Sequence, residues 1–230
     1  MKTKMCFGLL DVLVKGKLDK KPDTSFMSEL VDYSKENKKE LFLITGLDAD
    51  KGESIIIQNG IDSYFSKENI FHVSEKYYDA LSEIDKELKE QAKQNDSSYC
   101  DEYYKVYFFN NVYKHKKEET LYIGHDIWTD AYYLSKYAAI DTILLKDTLT
   151  NNSAPNIMEI KEVQVVDSCF PIIKSYLEEE KQFNYEPLHK YANKLLYKEM
   201  VGGSLFNTKQ KVGSFWNRKK DKKLFDRGEN

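Results

Sequence analysis

The residues whose side chains are most able to carry out chemistry follow short apolar runs. The run 121–123 is followed by His125 and Asp126, and Asp130 lies five residues after His125. A histidine beside two carboxylates can bind a transition metal or act as a base near neutral pH. The four histidines have no metal-ligand spacing among them, which favours a hydrogen bond from His125 to one of these aspartates. Asp126 can equally cap the helix that follows it.

Two further runs end in polar residues. Asp11 follows the run 5–10 and is a candidate nucleophile, although an aspartate there also suits a turn that accepts backbone N–H groups. Thr45 and Gly46 follow the strand-like sequence LFLI, where a hydroxyl can bind a phosphate or play a structural part. These strand ends are therefore the candidate ligand residues of the chain.

The elements that must position these residues alternate between strand and helix patterns. Continuous apolar runs are typical of strands buried on both faces of a parallel sheet, and 3.6-residue spacing is typical of amphipathic helices. The alternation predicts an α/β fold with a doubly wound parallel sheet, whose ligand crevice lies beyond the carboxyl ends of the strands. Strands are predicted at 5–10, 41–45, 70–73, 120–123, 140–145 and 163–166, and helices from Thr24 or Ser25 and at 48–59, 75–95, 101–113, 128–137, 171–180 and 185–200.

Taken in order, the first two strand ends resemble the motifs of the haloacid dehalogenase-like superfamily, which consists mostly of magnesium-dependent phosphatases and phosphotransferases. The family's first motif is an apolar strand followed by two aspartates separated by one residue. The frame is kept here, but Gly8 and Leu10 stand where the aspartates belong. The second motif, a strand ending in Thr or Ser, is intact and ends at Thr45.

The fourth motif carries the more specific part of the resemblance. His125 stands at the first magnesium-binding aspartate of the family and Asp130 at the second. For the third motif, a phosphate-binding lysine, Lys105 is the nearest candidate, and the lysines closer to the strand are Lys114, Lys116 and Lys117. Residues 203–206 and 215 faintly resemble the tail of the 5′-nucleotidase branch, and the core resemblance implies a small or absent cap.

The family mechanism, as the resemblance implies it, needs the residues that are missing. One aspartate attacks phosphorus and the other protonates the leaving oxygen, which Gly8 and Leu10 cannot do. The prediction is a phosphatase-like protein without catalysis and without a cofactor, which binds a small phosphorylated ligand or a protein through Thr45, Gly46 and Lys105. The alternative is an active phosphatase or nucleotidase with Mg²⁺, whose residues would be Asp11, Asp126 and Asp130, with His125 as a weak metal ligand.

Composition limits the remaining function classes. The chain has 35 Lys and Arg against 38 Asp and Glu, so no overall basic field favours nucleic-acid binding. Residues 209–230 hold eight basic and three acidic residues with interleaved aromatics, which raises a third alternative, contact with RNA or an anionic membrane. The expected organisation is an α/β domain at 1–183, a C-terminal helix packed on it at 184–208 and a basic tail at 209–230.

The cysteines and the apolar runs bear on location. Three scattered cysteines make no disulfide framework, and no apolar run reaches the roughly eighteen residues that a membrane span requires. The sequence therefore predicts a cytoplasmic protein with no transmembrane segment.

Overall fold

A computed structural model of the chain describes residues 1–10, 12–14, 25–95, 103–145, 165–166, 169–178 and 183–201. Asp11 and the basic tail 209–230 therefore lie outside the described residues. Within them, no helix is long and apolar enough to cross a membrane.

The described strands form one parallel sheet of six strands, in the order β3-β2-β1-β4-β5-β6. The central strand β1 pairs with β2 on one side and β4 on the other, so the carboxyl ends of these three strands share one edge. This arrangement confirms the predicted α/β fold with a parallel sheet. The strands are β1 (Lys4–Gly8), β2 (Glu40–Thr45), β3 (Ile70–His72), β4 (Thr120–Gly124), β5 (Asp141–Leu145) and β6 (Val165–Val166).

Helices pack on both faces of the sheet. They are α1 (Met27–Glu36), α2 (Ala49–Gln58), α3 (Ser74–Asp79), α4 (Glu83–Asn95), α5 (Tyr104–Tyr107), α6 (Phe170–Glu178) and α7 (Glu186–Val201). Wider π-helical turns form Phe108–Val112, Ile127–Tyr132 and Leu134–Ala138, and tighter 3₁₀ turns form Ile61–Tyr64, Lys67–Asn69 and Lys117–Glu119.

The core has two layers because the strand side chains alternate between the two faces. Cys6 of β1 packs among buried residues of α3, α5 and α7, whereas its neighbours Met5 and Phe7 pack among those of α1, α2 and α6. Both faces of the central strands are thus covered by helices, which is why these strands read as continuous apolar runs.

Two local predictions are wrong. The single helix expected at 75–95 is divided into α3 and α4, because the Ser82 hydroxyl accepts the Asp85 N–H at 3.2 Å and begins a new helix. The sequence also predicts that Thr24 or Ser25 caps α1, and the structure has a different residue, Phe26, at the cap position. The helix starts at Met27, and Phe26 precedes it without a side-chain capping hydrogen bond.

Ala139 offers a test of the backbone that follows the Leu134–Ala138 turn. Ala139 is exposed and has φ 54° and ψ 41°, a left-handed conformation that costs an L-residue with a Cβ about 1–2 kcal/mol. We expect Ala139→Gly to raise the free energy of unfolding by about 0.5–1 kcal/mol, measured by urea denaturation. The matched control is Gly60→Ala, because Gly60 has φ 65° and open space around a Cβ, so that this variant should lose stability. A less stable Ala139→Gly variant would contradict the assigned backbone geometry.

Candidate functional site

The centre of the candidate site is a fully buried carboxylate, Asp130, at the carboxyl edge of the sheet. Asp130 belongs to the π-helical segment Ile127–Tyr132, which follows β4. Its Oδ1 accepts a hydrogen bond from Lys105 Nζ at 2.5 Å, and its Oδ2 accepts the backbone N–H groups of His125 at 2.8 Å and Asp126 at 3.2 Å. Both carboxylate oxygens are therefore committed to donors of this chain.

The protonation of Asp130 follows from this set of donors. Burial by itself raises the pKa of Asp130, but the Lys105 ammonium, His125 and the hydrogen bonds that they make outweigh burial and hold the pKa well below its usual range. Lys105 is buried too, with only 2% of its surface exposed. The two side chains thus form a buried ion pair that is charged at neutral pH.

The local sequence explains how Asp130 reaches the strand end. A Cβ at Gly124 would lie only 2.5 Å from Asp130 Oδ2, so a glycine at the end of β4 allows the close approach. On the other side, the Thr142 hydroxyl of β5 donates to the Asp130 backbone carbonyl at 3.0 Å. The segment that carries Asp130 is thereby fixed against both β4 and β5.

Asp126 caps that same segment. Its Oδ1 accepts the backbone N–H groups of Trp128 at 2.9 Å and Thr129 at 2.7 Å and the Thr129 hydroxyl at 3.1 Å. These bonds satisfy N–H groups at the start of the segment that have no partner within it. The structure thus gives Asp126 the capping role that the sequence left as one of two alternatives.

His125 lies between the two aspartates in sequence and against Asp130 in space. Its ring is buried, and Nδ1 lies 3.3 Å from Asp130 Oδ2. Of the two aspartates that the sequence allowed as its partner, Asp130 is the one whose carboxylate the structure places against the ring. The imidazole therefore lies against a carboxylate that is already bound to Lys105.

Of the four candidate lysines, the structure brings Lys105 alone to Asp130. Lys114 and Lys116 are exposed at the opposite, amino edge of the sheet, and Lys117 Nζ donates to Asn110 Oδ1 at 2.7 Å. Lys105 comes from α5 on the face of the sheet that Cys6 shares.

Gly8 lies beside a side chain that the sequence reasoning missed, Tyr122 of β4. A Cβ placed on Gly8 would lie 2.9 Å from the Tyr122 hydroxyl oxygen, closer than ordinary packing allows. The Tyr122 ring is fully buried, and Lys105 Nζ lies 5.7 Å from its centroid. The space that an aspartate at position 8 would need is thus filled by the phenol of the neighbouring strand.

A second tyrosine covers the end of β2. The Tyr104 ring approaches within 2.7 Å of the position of a Cβ on Gly46, and Lys105 Nζ lies 5.8 Å from the same ring. Thr45 is buried, and its hydroxyl accepts the Leu47 N–H at 3.1 Å, which stabilises the turn after β2. Of the two predicted ligand residues, Gly46 therefore lies beneath an aromatic ring and Thr45 is buried before it.

Leu10 follows β1 and is 36% exposed, so its side chain reaches solvent. Tyr104 and Tyr122 could have been suspected from the sequence, because the loss of two acids from a strand-end crevice leaves space that neighbouring side chains must fill. Their aromatic patterns, however, are equally typical of a buried core.

The residues of this crevice do not fit a magnesium ion. Magnesium prefers six oxygen ligands in octahedral geometry. Both oxygens of Asp130 and one oxygen of Asp126 accept hydrogen bonds, Gly8 has no side chain, and His125 offers nitrogen. Among the described residues, no group of three or more His, Cys, Asp or Glu could hold a metal ion.

Comparisons with known proteins give distant likenesses. No protein-family model and no curated protein sequence matches the chain. One similar solved structure is the core domain of a protein from Streptococcus pneumoniae TIGR4 assigned as a phosphoglycolate phosphatase, at 13% identity and a TM-score of 0.41, covering 78% of this chain and 98% of that one.

A second similar structure is the cobalt-bound deoxy-D-mannose-octulosonate 8-phosphate phosphatase of Haemophilus influenzae, at 16% identity and a TM-score of 0.38. That match covers 76% of this chain and 86% of the other. Three features of the chain's own sequence and structure resemble the haloacid dehalogenase-like superfamily. They are an apolar strand that ends at Gly8, a strand that ends at Thr45 and a lysine bound to Asp130.

Proposed function

We propose that this chain is a haloacid dehalogenase-like protein that has lost phosphohydrolase catalysis and acts by binding a phosphorylated ligand or a protein partner. The observation that carries the proposal is the contact between Gly8 and Tyr122. Where the family places its nucleophile, this chain has no side chain, and the Tyr122 hydroxyl lies 2.9 Å from the position of a Cβ there.

The ion pair supports the same conclusion. A catalytic lysine in this fold must be available to the phosphate, whereas Lys105 Nζ is buried and held by Asp130 at 2.5 Å. Asp130 in turn is a poor metal ligand, because Oδ2 accepts two backbone N–H groups and Oδ1 accepts Lys105 Nζ, whose positive charge disfavours a cation beside it. Loss of a nucleophile alone costs on the order of 10⁶ in rate where it has been measured in a hydrolase.

An assay of phosphate release from p-nitrophenyl phosphate with Mg²⁺ tests the loss of catalysis. We expect the wild-type chain and the Asp11→Asn variant to give the same signal as a protein-free blank. Release that requires Mg²⁺ and disappears in Asp11→Asn would overturn the proposal in favour of an active phosphatase that uses Asp11.

A thermal-shift titration with inorganic phosphate tests the binding role. A ligand at about 100 times its dissociation constant stabilises the folded state by about 2.7 kcal/mol. We expect phosphate to raise the melting temperature of the wild-type chain, and Thr45→Val, which keeps the shape of the side chain, to abolish that rise. Thr120→Val is the matched control, because Thr120 is a fully buried threonine at the first residue of β4, at the opposite edge of the sheet from the turn after β2. A rise in melting temperature with phosphate that persists in Thr45→Val would contradict the role proposed for the end of β2. If phosphate does not raise the melting temperature of the wild-type chain, the phosphorylated ligand is excluded and the proposed partner is a protein.

The cytoplasmic location, and contact of the tail 209–230 with RNA or an anionic membrane, remain predictions from the sequence.

A further inference from the structure

Helix α7 packs over the segment that carries Asp130. Leu188 and Ala192 of α7 are buried in the same core layer as that segment. The Tyr191 ring stacks on Trp128, with centroids 6.3 Å apart and an interplanar angle of 15°. Side chains of α7 therefore cover the first turn of the segment that presents Asp130 to the strand end.

A histidine joins α7 to the next turn of the same region. His189 Nε2 lies 2.9 Å from Ser135 Oγ, and Ser135 Oγ also donates to the Tyr132 backbone carbonyl at 3.1 Å. The His189 ring makes an edge-to-face contact with Tyr132 at 5.5 Å and stacks with Tyr185 at 6.4 Å. The half-buried imidazole thus contacts two phenol rings and one hydroxyl.

The charged groups around His189 disfavour its protonation. Burial lowers the pKa of His189 first, and the nearby Lys136 ammonium lowers it further. Lys136 is fixed in place by donating to the Tyr132 hydroxyl at 2.8 Å.

The acidic groups of the neighbouring elements have partners of their own. On α7, Glu186 Oε1 is held by Lys190 at 2.7 Å at the surface. Asp141 of β5, whose negative charge acts electrostatically on the Tyr185 hydroxyl, forms an ion pair with Lys2. A proton on the His189 ring would therefore lie near the Lys136 ammonium and two phenol rings, with no carboxylate among the contacts described for it.

We propose that His189 is a pH-sensitive latch whose protonation releases α7 from the segment that carries Asp130. At neutral pH the uncharged ring bonds Ser135 and α7 stays docked. When the ring gains a proton, the docked state holds that charge half-buried beside Lys136, whereas the released helix exposes it to water. Release uncovers Trp128 and frees the turn that Asp126 caps, so acidity would loosen the Asp130 site. This latch does not depend on the proposed function.

Fluorescence of Trp128 tests the latch directly. The chain has two tryptophans, Trp128 and Trp216, so a Trp216→Phe variant makes Trp128 the single reporter. We expect the Trp128 emission to change reversibly as the pH falls from about 7.5 to about 5, across the usual range of histidine titration. In the same background, His189→Gln keeps a hydrogen-bond donor for Ser135 without a titrating ring and should show no transition. Ser135→Ala, which keeps the ring, should still show one.

An independent measurement covers the case in which a variant does not fold. Amide hydrogen exchange of the unmutated chain, corrected for the intrinsic effect of pH, should show a loss of protection of α7 relative to β4 when the pH is lowered from about 7.5 to about 5, because the released state binds the proton more tightly than the docked state. Equal protection of α7 at both pH values, or the same Trp128 transition in His189→Gln, would overturn the proposal.

Discussion

Asp130→Asn is expected to lower the free energy of unfolding by about 3–5 kcal/mol, the cost of leaving one partner of a buried ion pair without its counter-charge. Lys105 Nζ lies 2.5 Å from the carboxylate and is 2% exposed, so water cannot replace the lost partner without opening the core. Asn can keep a carbonyl oxygen as the acceptor for the backbone N–H groups of His125 and Asp126, which turns its NH2 group toward Lys105 Nζ, so the charge and the hydrogen bond from Lys105 are lost together. Urea denaturation measures the change.

A double-mutant cycle separates the pair from its surroundings. Lys105→Met should be destabilising by a similar amount, and the double variant Lys105→Met with Asp130→Asn should lose less than the two single variants together, because neither charge is then left alone. The matched control is Glu186→Gln, which breaks an exposed ion pair with Lys190 and should change the stability little. Strictly additive losses would show that Lys105 and Asp130 do not act as a pair.

The same pair gives the folded state a defined acid dependence. Because the pKa of Asp130 is lower in the folded than in the unfolded chain, the carboxylate contributes stability above the unfolded value of about 4, and that stability is lost as the pH falls toward the lower folded value. Asp130→Asn should remove this part of the dependence. The difference in unfolding free energy between wild type and Asp130→Asn should therefore shrink as the pH falls below about 4.

Gly8→Ala is expected to cost about 1–3 kcal/mol, the usual price of overpacking a well-filled core, although it adds a single methyl group. The reason is the Tyr122 hydroxyl, which lies 2.9 Å from the position of the new Cβ in a region that is fully buried. In a Tyr122→Phe background the tightest remaining contact of the new Cβ is Val12 Cγ2 at 3.3 Å, and the nearest ring carbon is 4.0 Å away, so the same change should cost less. Urea denaturation of the four proteins in this cycle measures the coupling.

Gly46→Ala provides the control for that cycle. It also meets an aromatic ring, but the ring is that of Tyr104, at 2.7 Å. Tyr122→Phe should therefore leave the cost of Gly46→Ala unchanged. An equal cost of Gly8→Ala with and without the Tyr122 hydroxyl would contradict the explanation given for the missing nucleophile, and with it the main support of the proposed function.

The aromatic stretch between α4 and β4 illustrates the limit of periodicity. A run such as 103–109 is typical of either a core or an interface, because both bury aromatic rings. Tyr103, Phe108 and Phe109 are buried in the core layer behind β4, and Tyr104 covers Gly46 at the strand end. The division between α3 and α4 is a second example. Apolar residues at 77, 81, 84 and 88 keep helical spacing across the break, so periodicity predicts one helix, but Ile84 is exposed in the structure.

The sequence by itself determined the parallel α/β architecture, because strands covered on both faces must be continuously apolar and helices covered on one face must not. It also determined that Gly8 and Leu10 carry no acid and that Thr45, His125 and Asp130 follow strands that share an edge. Only the tertiary structure decided that Lys105, 25 residues before Asp130, is its counter-ion, and that Tyr122 fills the space beside Gly8. Contacts between residues that are distant in the sequence depend on where each helix packs on the sheet. The spacing of residues along the chain does not specify that position.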